Sequence, residues 1–298
     1  MQDLIYKSNV LIESLPYIKK FAGKIFVIKY GGHAMVNEEL KRSVVLDIIL
    51  LKYIGVNPIV VHGGGQEVTK HMERLGLKAK FAQGLRITDE SVMEIAEMVL
   101  VGKVNKELVS LFNVQGGKGV GLSGKDANLF VGDKRPPVKV NNNGVENYVD
   151  LGFVGDITKV NPQVVSDLSS QGYIPIISTV GVTAKGETLN INADHAAGYL
   201  AAALQADKLL VLTDVEGIFL DPADKNSLLS YITKTRAIEL INAGKINAGM
   251  IPKVEACLKA LEGGVKRTHI IDGRMPHSIL MEIFTDKGIG TMVTKEER

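Results

Sequence analysis

Lys24-Ile25-Phe26-Val27-Ile28-Lys29-Tyr30-Gly31-Gly32 is the stretch that decides the fold. Its first part, apolar and β-branched, reads as a short strand, and the glycine pair ends it. A helical pattern follows from about Glu38 to Tyr53, with Val44, Val45, Ile48 and Leu51 on one face. The unit then repeats. Asn57 to Val61 is a second buried strand that closes on His62-Gly63-Gly64-Gly65, and a helix over 66–75 comes next. Strand and helix alternate with a glycine turn at each strand's carboxyl end, the place where open parallel sheets bind ligands.

Outward from this core the pattern holds, with one break. Before it, residues 3–21 carry a helical stripe of Leu4, Leu11, Leu15 and Ile18, which Pro16 is expected to bend or restart. This segment either covers the domain's own core or packs on another subunit. After a helix over 89–112, the stretch Gly119 to Lys159 reads as hairpins inserted beside the sheet, with turns at Arg135-Pro136-Pro137 and Asn141 to Gly144. Alternation resumes with helix 161–171, strand Tyr173 to Ser178, helix 195–205 and strand Lys208 to Thr213. Helices near 234–243 and 251–262, strand Thr268 to Ile271, helix 276–283 and a strand near Thr291 complete a single compact domain with two lobes.

The composition narrows the functional classes. The net charge is only +2, with 35 basic and 33 acidic residues and no polybasic run, which argues against nucleic acid and anionic membranes as partners. Cys257 is the one cysteine, so an intramolecular disulfide is excluded. With no signal-peptide pattern and no apolar run long enough to span a bilayer, a cytoplasmic protein is expected.

Several polar groups stand out against this apolar background. In Asn190-Ile191-Asn192-Ala193-Asp194-His195, two amides and a carboxylate alternate at a helix start, with Asp194 at the cap or just inside the first turn. It either caps the helix or belongs to a site. Lys29 at a buried strand end needs an anionic partner, unless it snorkels from an edge strand. Lys253 sits in the first turn of a helix whose Pro252 suits the start, so a cation there opposes the helix dipole and points to a polyphosphate. Arg86, between apolar neighbours, can clamp a carboxylate. Gly31, Gly32, Gly63, Gly64 and Gly65 let bare N–H groups approach phosphate oxygens.

Two other motifs fail on context. Gly119-Val120-Gly121-Leu122-Ser123-Gly124 fits a nucleotide-binding glycine pattern, but Ala127 to Val131 reads as strand where a helix is required. His62-Gly63-Gly64-Gly65 has an oxyanion-loop look without any G-x-S-x-G nucleophile. The histidines and Cys257 show no metal-ligand spacing, so no protein-bound metal is expected.

The motifs I-K-Y-G-G, V-H-G-G-G, G-L-R-I-T-D, V-G-K-V-N-K, L-S-G-K-D, N-I-N-A-D, L-T-D-V-x-G and G-M-I-P-K-V-E-A-C resemble, in order from about Lys24 to Met292, the amino acid kinase family. The resemblance implies a three-layer α/β/α sandwich with an open, mainly parallel eight-stranded sheet. It implies phosphoryl transfer from ATP, with Mg²⁺ carried by the nucleotide, to the side-chain carboxylate of N-acetyl-L-glutamate. Residues 1–22 would form a helical arm, 23–194 the acyl-acceptor lobe and 195–298 the nucleotide lobe. By the same resemblance Lys29 and Lys253 stabilise the transferring group and Asp194 orients both. Gly32, Gly64 and Gly65 donate N–H groups, and Arg86 and Asn190 hold the unreactive part of the acceptor. Thr213, Asp214, Gly217, Ile218 and Met250 line the nucleotide. His33 stands where the family pattern has a small residue.

That chemistry suits the residues, since a γ-carboxylate is already ionised at neutral pH and needs no general base. The nearest rivals are relatives making carbamoyl, aspartyl or glutamyl phosphate, or UDP. A nicotinamide oxidoreductase and a non-catalytic arginine-sensing module are more distant ones. The extra N-terminal helix and the C-terminal stretch from His269 to Thr291 resemble the arginine-inhibited branch of the family. This implies a hexamer of three dimers and an arginine site lined by Tyr17, Lys208, His269, Glu282 and Gly288.

Overall fold

Alternation along the first strand divides the core in two. In the computed structural model, which describes residues 1–35, 37–142, 145–221, 223–247 and 249–296, the strand is Ile25–Tyr30 (β1). Phe26, Ile28 and Tyr30 pack in one apolar cluster with Val44, Val45 and Ile48. Val27 lies in the other, with Ala196, Ala197, Leu200, Val254 and Cys257. Side chains two apart share a face, so Lys29 is sent to the Val27 side. Each fully buried Ile, Val or Leu of this core stabilises the fold by about 1.5–3 kcal/mol.

The other strands of the main sheet are Asn57–His62 (β2), Gly119–Ser123 (β3), Ile174–Ser178 (β4), Lys208–Thr213 (β5), Tyr231–Thr233 (β6), Arg267–Asp272 (β7) and Thr291–Thr294 (β8). Their order is β6-β8-β7-β5-β1-β2-β4-β3, an eight-stranded sheet. Pairing is parallel except between β7 and β8. The helices are Gln2–Phe21 (α1), Glu38–Tyr53 (α2), Gly65–Arg74 (α3), Glu90–Glu97 (α4), Asn105–Val114 (α5), Gln163–Ser170 (α6), Ala193–Ala203 (α7), Lys234–Asn242 (α8), Ile251–Glu262 (α9) and Ser278–Ile283 (α10). The expected sandwich of helices on both faces of a mainly parallel sheet is what forms.

Several local expectations are corrected. Helix α1 runs through Pro16 without restarting. The helix expected over 89–112 contains a π-helical stretch, Met98–Val104, between α4 and α5. Gly119–Ser123 is not part of an inserted hairpin but the edge strand β3, paired with β4. Ala127 lies in a short turn of 3₁₀ helix at positive φ, and strand structure begins only at Phe130. The inserted strands Phe130–Lys134 and Val154–Val160 close a small barrel with Val180–Val182 and Thr188–Ile191. Val138–Asn142 and Val145–Val149 form the expected hairpin, although residues 143 and 144 of its turn lie outside the described residues.

Candidate active site

The helix start that carries Asp194 is capped by Asn192, whose side-chain oxygen accepts from the N–H groups of Asp194 (2.9 Å) and His195 (3.1 Å). Asp194 is therefore not the cap. Its carboxylate is free to look sideways, and it meets Lys29: Nζ lies 3.0 Å from Oδ1, with both side chains under a tenth exposed. On its other side Lys253 Nζ is 3.5 Å from Oδ2 and 3.1 Å from the Gly249 carbonyl. Burial alone would raise the Asp194 pKa, but the charges of Lys29 and Lys253 override it and hold the carboxyl below its ordinary value. One carboxylate thus holds two ammonium groups beyond the carboxyl end of β1.

The glycines beside this trio are there for space. At Gly32, with φ +71°, a Cβ would fall 2.4 Å from an Asp214 carboxylate oxygen. At Gly31 it would fall 2.8 Å from Lys29 Nζ, so any side chain there would displace the ammonium. Such a cradle of lysines and bare backbone fits a polyphosphate. The side chain of His33 lies outside the described residues.

Across the glycine loop is a cavity of about 210 Å³ lined by Gly63, Gly64, Gly65, Arg86, Asn190 and Asn192. Arg86 is buried, and its Nη2 donates to the Gly65 carbonyl and the Thr69 hydroxyl, both at 2.7 Å. Its guanidinium also stacks over Phe81 at 4.8 Å. Asn190 donates to Thr88 Oγ1 (3.2 Å), which in turn donates to the Arg86 carbonyl (2.8 Å). Thr88 and Asn192 therefore join the site, although sequence reasoning gave them no role. Both stand inside quoted motifs, which was the available signal.

Thr213 and Asp214 lie at the carboxyl end of β5. The Ile218 N–H donates to Thr291 Oγ1 at 2.8 Å, and a Cβ on Gly217 would come within 2.6 Å of the same oxygen. Met250 is buried just before α9. Of these residues Met250 touches Lys253 directly, its carbonyl accepting from the Lys253 N–H at 3.0 Å.

The remaining group is a separate cluster around the opposite end of β5. Lys208 Nζ is 2.9 Å from His269 Nε2, and His269 Nδ1 is 2.6 Å from Glu282 Oε1. An ammonium only donates, so Nε2 accepts and the ring proton sits on Nδ1. Glu282, expected to offer its carboxylate to arginine, is buried and engaged by a second and third group as well, since Oε2 accepts from the N–H groups of Ile289 (2.7 Å) and Gly290 (3.1 Å). Burial works against its charge, yet His269 and those N–H groups leave its pKa below the usual value. A Cβ on Gly288 would strike the same carboxylate at 2.6 Å. Tyr17 reaches this region by donating to Asp286 at 2.7 Å.

A sequence profile of the amino acid kinase family matches residues 24–272. The chain belongs to the amino acid kinase family. This family member is similar along its length to the acetylglutamate kinase of Heliobacterium modesticaldum, with 57% identity over 295 residues, 99% of this chain and 100% of that one. With that of Pelotomaculum thermopropionicum it shares 58% over 289 residues, 97% of this chain and 98% of that one. It is a kinase of the acetylglutamate kinase type. Among solved structures it resembles N-acetylglutamate synthase from Neisseria gonorrhoeae complexed with coenzyme A and N-acetyl-glutamate, with TM-score 0.81 and 27% identity over 98% of this chain. This kinase spans 64% of that synthase's length. Carbamate kinase from Giardia lamblia shares the fold, with TM-score 0.63 and 17% identity, over 92% of this kinase and 99% of that chain.

Proposed function

We propose that the chain transfers the γ-phosphoryl group of ATP to the γ-carboxylate of N-acetyl-L-glutamate, giving N-acetyl-L-glutamyl 5-phosphate, the second step of arginine biosynthesis. The observation that carries this reading is the buried Lys29–Asp194–Lys253 trio beside two glycine turns. Phosphoryl transfer needs positioning and neutralisation of spreading charge more than proton transfer. The attacking carboxylate is already ionised, and one of its oxygens forms the new P–O bond as the bond to ADP breaks. Lys29 and Lys253 face the charge that develops on the transferring group, Asp194 fixes their directions, and Gly32, Gly64 and Gly65 donate N–H groups. Arg86 and Asn190 hold the part of the acceptor that does not react.

In this reading residues 23–194 bind the acyl acceptor and 195–298 the nucleotide, whose walls include Thr213, Asp214, Gly217, Ile218 and Met250. Mg²⁺ is assigned to the nucleotide, since this cation usually binds through substrate phosphates. Among the described residues no helix is long and apolar enough to cross a membrane. We assign arginine as a feedback inhibitor bound near Tyr17, Lys208, His269, Glu282 and Gly288. The exposed Leu4, Ile5, Leu11 and Leu15 of α1 support exchange of these helices between dimers in a hexamer.

An ATP-dependent hydroxamate assay across N-acetylglutamate, glutamate, aspartate and carbamate tests the substrate. Acetylglutamate should turn over and free glutamate barely, because an ammonium buried beside Arg86 is costly. Comparable kcat/KM on both would overturn the reading.

A further inference from the structure

Below the glycine loop lies a buried polar pair that the proposed chemistry does not use. His62, at the carboxyl end of β2, and Asn105, the first residue of α5, are both fully buried. Asn105 Nδ2 lies 2.8 Å from the Ile176 carbonyl, 3.3 Å from that of Leu122, and 3.1 Å from His62 Nε2. Its Oδ1 accepts from Lys106 Nζ at 3.2 Å. Carbonyls only accept, so the amide must present its NH₂ on this side, one hydrogen shared between Ile176 and the more distant Leu122 and the other left for Nε2. The same NH₂ then faces Nε2, which is left as the acceptor.

The ring proton consequently sits on Nδ1, which donates to the Gly63 carbonyl at 2.7 Å. Burial keeps this imidazole neutral, pushing its pKa down to about 4, with Lys106 adding to the effect and the Gly63 bond opposing it. A trans peptide places its C=O and N–H on opposite sides. With the Gly63 oxygen held down toward His62, the Gly64 N–H is turned up, away from it. The cavity on that side is lined by Gly63, Gly64 and Gly65 and not by His62.

Two backbone features serve the pair. The π-helical stretch Met98–Val104 ends immediately before Asn105, and its wider turn re-aims the face that follows. At Gly121 a Cβ would lie 2.0 Å from Asn105 Oδ1, so only glycine leaves room for the amide. The middle glycine of the apparent nucleotide motif is thus accounted for without a nucleotide.

We propose that His62 is a positioning residue: its Nδ1–H pins the Gly63 carbonyl and so aims the Gly64 N–H into the acceptor cavity, with Asn105 fixing the tautomer. The kinetic consequence rests on the phosphoryl-transfer reading, whereas the tautomer does not. The test pairs two measurements. In ¹⁵N magic-angle-spinning spectra of ring-labelled protein, the His62 signals are those lost in His62→Asn. They should show a protonated Nδ1 and an unprotonated Nε2 at neutral pH. In kinetics, His62→Asn keeps an N–H at the Nδ1 position, while His62→Leu keeps bulk and loses the donor. His62→Leu should lower kcat roughly ten- to a hundredfold, with a smaller change in acetylglutamate KM, and His62→Asn should recover most of it. A proton on Nε2, or equal kcat for the two folded variants, overturns the proposal. The spectrum is taken on the unaltered protein without turnover, so its failure is distinct from failure of the kinase reading, which the unaltered enzyme's own turnover decides.

Discussion

Gly198 of α7 lies so close to Ala256 of α9 that a Cβ on it would stand 2.6 Å from the Ala256 carbonyl oxygen. One turn earlier on each helix are Asp194 and Lys253, so the tight crossing is what allows their 3.5 Å contact. In a free helix Gly→Ala would stabilise by about 0.5–1 kcal/mol. Here the new methyl meets backbone that cannot move aside, and overpacking of about 1–3 kcal/mol wins. Gly198→Ala should therefore lower both the urea midpoint and kcat. A variant as stable and as active as the parent would mean that the crossing does not set the Lys253 contact.

The two lysines and Arg86 should separate kinetically. In the proposed chemistry Lys29→Met and Lys253→Met each remove a cation facing charge that exists only in the transition state, so kcat should drop by roughly 10²–10³ with little change in acetylglutamate KM. Arg86→Ala should mainly raise that KM. It should also cost stability of about 1 kcal/mol, the usual net worth of a hydrogen bond, because the Gly65 carbonyl, which keeps its bond from Thr69, loses the guanidinium. Steady-state kinetics with unfolding curves separates the two effects. An unchanged KM in Arg86→Ala would confine Arg86 to holding α3.

Mild acid should weaken the fold through two buried histidines. His62 and His269 are buried, with folded pKa values of about 4 against an ordinary 6.5. Between those values the unfolded chain binds two protons that the folded chain does not, so stability rises with pH through the window and is lost as pH falls toward 4. Asp47 acts in the opposite sense, since burial raises its pKa from 3.8 to about 6 despite its 2.6 Å contact with His277. Two histidines against one aspartate leave a net slope near pH 5 with the histidines' sign, stability rising with pH. His269→Gln should flatten it in urea unfolding at pH 5 and 7. An undiminished slope would mean that His269 is not held neutral.

How much of this was legible in the sequence depends on the range of the interaction. The apolar run of β1 marks Lys29 as a cation at a buried strand end, and the glycine turns mark the sheet's carboxyl edge, because both are local patterns. Whether Asp194 caps its helix or lies just inside the first turn stays open in the sequence, because Asn and Asp both suit a cap and only backbone geometry, which puts Asn192 there, separates them. Gly119–Ser123 read as part of a hairpin insertion because its partner Ile174–Ser178 lies some fifty residues on and leaves no local mark. The engagement of Glu282 by His269, Ile289 and Gly290 likewise arises from tertiary packing alone.

The last prediction concerns the arm. Tyr17 of α1 packs its ring 6.0 Å from Phe284, which closes α10, and donates to Asp286. Within α10, Glu282 is bonded to His269, and His269 to Lys208 at the start of β5. The far end of that strand is Thr213, about 17 Å away at the usual rise per residue. The arm is thus joined by contacts to a strand whose other end walls the proposed nucleotide site. An effector shifts activity only if it binds two states unequally, and this chain of contacts supplies an element that can differ between them. With Glu282 already accepting from three donors, about one of its lone-pair sites is left for a guanidinium. Tyr17→Phe should raise the arginine concentration for half-inhibition about fivefold or more while leaving kcat without arginine unchanged. Removing residues 1–21 should give an active dimer with strongly weakened inhibition. Arginine dose–response curves and light scattering check both. Full-length protein that is dimeric, or indifferent to millimolar arginine, would remove the regulatory reading and leave the kinase assignment standing.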